Sequence, residues 1–194
     1  NTAIDALRLT VREEYSSPIT EAAAGKRIIL LTAHRRESHG EALRGIFRAV
    51  RRIADEFDDV MIVYPVHPNP VVRAAAEEIL SGHERIMLTE PLDVIAFHNL
   101  MAKGFFIMTD SGGIQEEAPS LGKPVLVLRD VTERPEGVEA GTLRIAGTDE
   151  EKVYLACKNL LCNETEYAKM SSAENPYGDG KASRRTADAL LSEA

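Results

Sequence analysis

Ile28-Ile29-Leu30-Leu31-Thr32, entered through Gly25-Lys26-Arg27, is the first of six short apolar runs that decide the fold. The others cover residues 60–64, 86–88, 105–108, 125–128 and 143–145. Most of these runs are almost continuously apolar, which is typical of strands that are buried on both faces of a parallel sheet. The sequence therefore predicts a sheet that is covered by helices on both sides.

Segments with helical periodicity separate these runs. The clearest follows the first run, where apolar residues between Leu43 and Phe57 recur at spacings of three and four. Further helices are predicted over residues 70–80, 92–103, 113–121, 149–162 and 181–193. This alternation implies an α/β fold, a Rossmann-like doubly wound parallel sheet of about six strands, for which 3-2-1-4-5-6 is the common strand order. A turn-rich break leads us to expect a main domain over residues 1–172 and a C-terminal loop and helix over residues 173–194.

Composition and charge exclude several classes of protein. The chain has 194 residues and a net charge of −8, which speaks against nucleic-acid partners and anionic membranes. No run approaches the roughly 18 apolar residues of a membrane span, and the opening residues lack a signal-peptide pattern. Cys157 and Cys162 fit neither a disulfide framework nor a zinc site, so we expect a reducing, cytoplasmic location. Because the chain begins at Asn1, we expect it to be part of a longer protein.

Two polar loops follow the first and fourth predicted strands, which flank the crevice where open parallel sheets bind ligands. The first loop carries His34, Arg35 and Arg36, a local cationic cluster. The second, Ser111-Gly112-Gly113, opens a predicted helix, where glycines allow close approach and free N–H groups favour phosphate. Together the loops predict a diphosphate site.

Each of these features also has a purely structural interpretation. The Ser-Gly-Gly segment could be an ordinary helix cap, and Arg35 and Arg36 could pair with Glu37 and Glu41 on the surface. For His34 we favour a functional role, because an imidazole changes its protonation near neutral pH.

Two further side chains extend the hypothesis of a nucleotide site. Glu117 lies one turn inside the predicted helix, where its carboxylate could accept hydrogen bonds from both hydroxyls of a ribose or could simply favour the helix dipole. Arg134, in the long charged loop after the fifth strand, is a candidate phosphate contact or a partner in a surface ion pair.

The remaining histidines show no partner pattern. We expect His67 to be structural or peripheral, and His39, His83 and His98 to be surface or helix residues. No set of histidines or carboxylates has convincing ligand spacing, so no metal site is predicted.

Considered together, the loops resemble a known family. The motifs are H-R-R-E-S at residues 34–38, Y-P-V-H-P-N at 64–69, D-S-G-G-I-Q-E-E at 110–117, T-E-R-P-E at 132–136 and N-P-Y-G-D-G at 175–180. They are similar to the motifs of the bacterial non-hydrolysing UDP-N-acetylglucosamine 2-epimerases. The resemblance spans the whole chain but only the C-terminal half of such an enzyme, whose two Rossmann-like domains form a glycosyltransferase-B type fold with the substrate between them.

The resemblance implies an activity and a set of site residues. The family interconverts UDP-N-acetylglucosamine and UDP-N-acetylmannosamine, for cell-envelope polysaccharides, by eliminating UDP and adding it back with the opposite configuration at C2. No cofactor is required. By this likeness, Ser111, Gly112 and Gly113 bind the diphosphate and Arg134 contacts a phosphate. Glu117 binds the ribose, and Phe97 and the backbone of Leu92 bind the uracil. His34 is the active-site histidine.

The resemblance also implies partners. The carboxylates that move the C2 proton belong to an N-terminal domain of the same chain, so we expect this half to be inactive by itself and the full-length enzyme to be a homodimer. Two other interpretations stay open: the donor-nucleotide-binding domain of a glycosyltransferase with the same architecture, and a non-catalytic sensor of nucleotide sugars.

Overall fold

The computed structural model describes residues 1–192, and this part of the chain contains six strands and ten α-helices. The strands are β1 (Arg27–Thr32), β2 (Val60–Pro65), β3 (Ile86–Thr89), β4 (Phe106–Thr109), β5 (Val125–Val127) and β6 (Leu143–Ile145). The helices are α1 (Thr2–Thr10), α2 (Pro18–Ala22), α3 (Glu41–Glu56), α4 (Pro70–Leu80), α5 (Val94–Lys103), α6 (Gly112–Glu117), α7 (Pro135–Ala140), α8 (Glu150–Cys162), α9 (Glu164–Ser171) and α10 (Ala182–Ser192). All the predicted strands are confirmed to within a residue or two at each end.

The strands form one parallel sheet in the order β3-β2-β1-β4-β5-β6, which confirms the prediction. The direction of winding reverses between β1 and β4. At the carboxyl ends of these two strands Thr32 is registered with Thr109, and their hydroxyl oxygens are 2.6 Å apart. The loops that follow β1 and β4 therefore open side by side, at the point where such sheets bind ligands.

Alternate residues of each central strand enter hydrophobic clusters on opposite faces of the sheet. Ile29 and Leu31 of β1 pack with Phe47 of α3 and with residues of α4 and α8. Ile28 and Leu30 pack on the other face with residues of α1 and α5. Burial on both faces requires apolar side chains at consecutive positions, which explains the continuous apolar runs. Each fully buried side chain of this size contributes about 1.5–3 kcal/mol to folding.

The helices differ from the predictions in two ways. The helix predicted over residues 113–121 is α-helical only to Glu117 and continues as a 3₁₀ turn over Ala118–Leu121. Pro119 explains the change, because proline has no N–H to donate to the preceding turn. In addition, α1, α2, α7 and α9 are helices that the sequence pattern does not predict.

The last helix lies on the surface. None of the described residues of α10 is fully buried, and Leu190 and Leu191 are 67% and 77% exposed. The Asp5 carboxylate attaches its first turn to α1 by accepting hydrogen bonds from two backbone N–H groups. Residue 193, the last residue of the predicted helix, lies outside the described residues.

The division into residues 1–172 and 173–194 remains a prediction. Among residues 1–192, no helix has both the length and the apolar character that a membrane crossing requires.

Candidate functional site

Asp110 joins the two polar loops at the rim of the sheet. Its side chain is 1% exposed. Its Oδ2 accepts hydrogen bonds from the backbone N–H groups of His34, at 2.5 Å, and of Arg35, at 2.7 Å. Since Asp110 follows β4 and His34 follows β1, these bonds bring the loops together on one rim. Sequence reasoning did not single out this residue, although it begins the glycine-rich motif.

A cavity of about 220 Å³ opens beside His34. Its lining includes Leu92 and Phe97 before and on α5, and Tyr64 and His67 from the end of β2 and the following loop. The structure therefore brings three predicted site residues, His34, Leu92 and Phe97, to one mostly apolar cavity. This lining suits the flat face of an aromatic base.

His67 also lines this cavity and is therefore not peripheral, while the other alternative, a structural role, fits the hydrogen bond that its Nδ1 accepts from the backbone N–H of Asn69. Its ring stacks on the ring of His34, with 4.9 Å between the centroids and 7° between the planes. Burial, followed by the nearby His34, lowers the pKa of His67. A stacked pair of histidines requires two loops to meet in space, which a single sequence does not reveal.

The glycine-rich loop lies next to two guanidinium groups. Gly112 is the first residue of α6, and a Cβ added to it would lie 3.8 Å from Arg134 Nη2 and 4.0 Å from Arg35 Nη2. Ser111 makes no side-chain cap bond, so the alternative of an ordinary serine cap is not observed. The backbone at the start of α6 therefore lies beside two guanidinium groups, an arrangement that suits a phosphate group.

Arg35 does not pair with Glu37 or Glu41, the partners that a purely structural interpretation expects, although its Nη1 lies 4.0 Å from Glu133 Oε1. Its Nε donates to the backbone oxygen of Asp110 at 3.2 Å. Glu37 pairs with Arg129, and Glu41 with Arg48. The guanidinium of Arg35 is therefore turned towards the site.

Arg134 is held in place by its neighbours. Its Nε donates to the carboxylate of Glu116, which is only 12% exposed. Its backbone N–H donates to Thr132 Oγ1 at 3.1 Å. The ion pair is part of its structural role, while the contact with Gly112 places the same guanidinium beside the glycine-rich loop.

Glu117 lies one turn inside α6 with its carboxylate largely buried, 18% exposed. Burial and then the neighbouring Glu116 raise the pKa of Glu117. His98 Nε2 is 3.7 Å from Glu117 Oε2, and His98 Nδ1 is 2.7 Å from Thr10 Oγ1 of α1. His98 is a helix residue of α5, as expected, but it is buried and has partners that its sequence pattern did not indicate; burial lowers its pKa.

No group of three or more His, Cys, Asp or Glu side chains within residues 1–192 is placed to hold a metal ion. The rim instead combines an apolar cavity, a glycine-rich loop with two cations, and one buried carboxylate. These are the elements that a base, a phosphate group and a ribose need.

Comparison with known proteins identifies the family. The family model described as UDP-N-acetylglucosamine 2-epimerase matches residues 1–191. The chain belongs to this family. A curated relative, the UDP-N-acetylglucosamine 2-epimerase of Bacillus subtilis strain 168, is 63% identical over 191 residues, which make up 98% of this chain and 50% of the relative. The chain spans about half the length of the curated relatives that it matches.

Solved structures agree. A co-structure of S. aureus MnaA with UDP has a TM-score of 0.96 and 57% identity, and the match covers 98% of this chain and 52% of that one. The UDP-GlcNAc 2-epimerase of Neisseria meningitidis, bound to UDP-GlcNAc, has a TM-score of 0.90 and 41% identity over 99% of this chain and 54% of that one. The predicted resemblance and fold class, the Rossmann-like half of a glycosyltransferase-B type epimerase, are confirmed.

Within this epimerase-family chain the predicted site residues fall into two adjoining groups. His34, Leu92 and Phe97 line the cavity. Gly112 adjoins Arg134 at the start of α6, where Ser111 precedes it and Gly113 and Glu117 follow in the helix. Their assignment to individual parts of a ligand remains a prediction.

Proposed function

We propose that this chain is the UDP-binding half of a UDP-N-acetylglucosamine 2-epimerase, which interconverts UDP-N-acetylglucosamine and UDP-N-acetylmannosamine. The observation that carries the proposal is the contact at Gly112, where a glycine-rich loop and two guanidinium groups adjoin an apolar cavity at the reversal point of the sheet. Family membership and the likeness to structures with UDP and UDP-GlcNAc support it.

In this proposal each group of residues binds one part of UDP. Phe97 and the backbone of Leu92 bind the uracil in the cavity, and Glu117 accepts hydrogen bonds from the ribose hydroxyls. The backbone of Ser111, Gly112 and Gly113 binds the diphosphate, and Arg134 contacts a phosphate. The arrangement supports these roles because Glu117 lies one turn along α6 from the glycines, and its carboxylate is 3.7 Å from Nε2 of His98, the residue that follows Phe97.

His34 is the proposed active-site histidine. When the bond between the anomeric carbon and oxygen breaks, its electron pair passes to the diphosphate of the leaving UDP. Fixed N–H groups, His34 and Arg134 stabilise that growing negative charge in the transition state. The proton on C2 leaves to a carboxylate in the other half of the enzyme and returns on the opposite face before UDP adds back. No cofactor takes part in this scheme.

The other half of the site comes from an N-terminal domain. We propose that residues 173–194 pack towards that domain and that the full-length enzyme is a homodimer in the cytoplasm. The exposed leucines of α10, Leu190 and Leu191, support the first of these points. The free thiols of Cys157 and Cys162 fit a reducing compartment.

Ligand-dependent stability tests UDP binding directly. A ligand that binds only the folded state raises the unfolding midpoint, so UDP should raise that of this chain more than CDP or ADP does. Glu117→Ala should reduce the shift with UDP. If saturating UDP leaves the wild type and Glu117→Ala equally unmoved, the chain does not bind UDP through this residue.

Deuterium incorporation tests the reaction. The chain is combined with the N-terminal half of a relative and incubated with UDP-N-acetylglucosamine in D₂O, and the sugar is followed by proton NMR. Deuterium at C2 without any acceptor indicates epimerisation. Sugar transfer that requires an acceptor would indicate a glycosyltransferase, and binding without either reaction would indicate a sensor.

A further inference from the structure

Within the part of the chain that the structure describes, one oxygen of Asp110 has no hydrogen-bond partner. Oδ2 accepts from two backbone N–H groups, but Oδ1 is buried and unpaired among residues 1–192. Leaving a buried carboxylate oxygen without a donor is unfavourable, and more so when the group is charged. An unpaired oxygen in this position therefore calls for a donor nearby.

The neighbouring donors leave one candidate. The hydroxyl of Tyr64 donates to the backbone oxygen of Ala33 at 2.6 Å, and the Nε of Arg35 donates to the backbone oxygen of Asp110. The Nδ1 of His34 lies 3.4 Å from Asp110 Oδ1, a distance that a small rotation of the ring closes to a hydrogen bond.

From this geometry we infer that Asp110 is a positioning residue that fixes the tautomer of His34, with the proton on Nδ1 directed at Asp110 Oδ1. The inference deepens the proposed function, on which its role in the reaction rests. The two backbone bonds to Oδ2 keep the carboxylate in place. Stacking on His67 fixes the plane of the His34 ring, and Asp110 then decides which of its nitrogens carries the proton.

This arrangement leaves Nε2, the nitrogen on the far side of the ring from Asp110, to meet the ligand. A proton gained there would face the departing diphosphate, while the carboxylate behind the ring balances the charge of the imidazolium. An aspartate behind a histidine has this orienting role in hydrolases with a Ser-His-Asp triad.

His67 and His83 provide internal references. The backbone N–H of Asn69 donates to His67 Nδ1 at 3.1 Å, and that of Arg85 donates to His83 Nδ1 at 3.0 Å. Nδ1 is therefore the acceptor in both rings, and their neutral forms carry the proton on Nε2. We expect His34 to show the opposite tautomer in the same spectrum.

The experiment uses this chain labelled with ¹⁵N-histidine, recorded with long-range ¹H–¹⁵N correlation at a pH where the rings are neutral. His34→Gln assigns the signal of His34. We expect a protonated Nδ1 and an unprotonated Nε2 for His34, and the reverse for His67 and His83. A wild-type His34 protonated on Nε2 would overturn the inference, whatever the variants do.

Asp110→Asn adds a second, stricter test. The amide oxygen keeps the two backbone bonds, while the amide N–H groups face His34 Nδ1 and require it to accept, so the tautomer of His34 should invert. The control is Asp149→Asn, which changes a cap of α8 to an equally good cap and should leave every histidine unchanged. A His34 that stays protonated on Nδ1 in Asp110→Asn would also refute the role of Asp110.

Titration of the same samples with UDP separates this inference from the proposed function. UDP should shift the His34 Nε2 signal and leave Nδ1 protonated. If UDP shifts no signal at all, the proposed binding site fails, but the tautomer measured without ligand still decides the role of Asp110.

Discussion

Replacing Gly112 with alanine should separate ligand binding from stability. The added Cβ would lie 3.8 Å from Arg134 Nη2 and 4.0 Å from Arg35 Nη2, which is ordinary van der Waals contact. The backbone at Gly112 does not have the positive φ that only glycine adopts readily. Since alanine favours a helix over glycine by about 1 kcal/mol, the free energy of unfolding should be unchanged or rise by up to that amount.

The same methyl group should weaken UDP binding strongly. It would occupy the space between the backbone and the two guanidinium groups, where the proposed function places the diphosphate. A hydrogen bond to a charged group is worth about 1.5–3 kcal/mol, so losing one weakens binding by about tenfold to a hundredfold. Calorimetric titration with UDP measures this loss, and chemical denaturation measures the stability of the same variant.

Uridine is the matched control for Gly112→Ala. It has the base and the ribose but no phosphate, so its affinity, measured by NMR titration, should not change. An equal loss for uridine and UDP would mean that the methyl group disturbs the whole site. Unchanged affinity for UDP would mean that the diphosphate does not lie against Gly112.

Three further substitutions test other parts of the structure. Glu117→Gln should weaken the binding of UDP about tenfold but leave the binding of 2′,3′-dideoxy-UDP unchanged, because one ionic hydrogen-bond acceptor for the ribose is lost. Calorimetry measures both affinities, and an equal loss for the two ligands would contradict the ribose contact. His98→Leu should flatten the pH dependence of the free energy of unfolding below pH 6.5. Burial lowers the pKa of His98, so as the pH is lowered the unfolded state takes up a proton first, and the free energy of unfolding of the wild type decreases. Chemical denaturation measured between pH 5 and 7 checks this: the same slope of unfolding free energy against pH in both proteins would refute it. Gly137→Ala should lower the free energy of unfolding by about 1–3 kcal/mol and lower Tm, because its Cβ would lie 2.5 Å from Leu143 Cδ1 and from Tyr177 Oη; an unchanged Tm would contradict it.

The sheet could be predicted from the sequence because each central strand is buried on both faces. That burial requires consecutive apolar residues, and the pattern is local and visible in one chain. The strand order then placed the loops at His34 and Ser111 on one rim, which the register of Thr32 with Thr109 confirms.

The parts of the site that the sequence did not predict depend on contacts between distant segments. Asp110 and His34 are 76 positions apart, and His98 and Thr10 are 88 apart. The stacking of His67 on His34 is of the same kind. Asp110, His67 and His98 look ordinary in their own segments, because the role of each comes from a partner that only the folded sheet brings near.

Helix α7 shows how a tertiary contact can override a local preference. Glycine disfavours a helix by about 1 kcal/mol, so the segment after Arg134 is typical of a loop. In the structure Gly137 lies where any Cβ would collide with Leu143 and Tyr177. The Tyr177 hydroxyl accepts the N–H of Gly137 at 2.9 Å and donates to the backbone oxygen of Arg134 at 3.3 Å. Gly137 thus weakens the helix by its own preference, but it leaves space for Tyr177, whose hydrogen bonds stabilise the helix.

This contact connects the C-terminal motif with the proposed phosphate site. Tyr177 binds the backbone of Arg134, and Glu116 binds its guanidinium, so the arginine is fixed at both ends. Asn1 also donates to Glu116 through its side chain, and its backbone nitrogen donates to the backbone oxygen of Tyr177 at 3.3 Å. The segments at residues 1, 116, 134 and 177 therefore form one connected support. A long side chain loses less conformational entropy on binding a ligand when its position is fixed beforehand, which favours phosphate binding by Arg134.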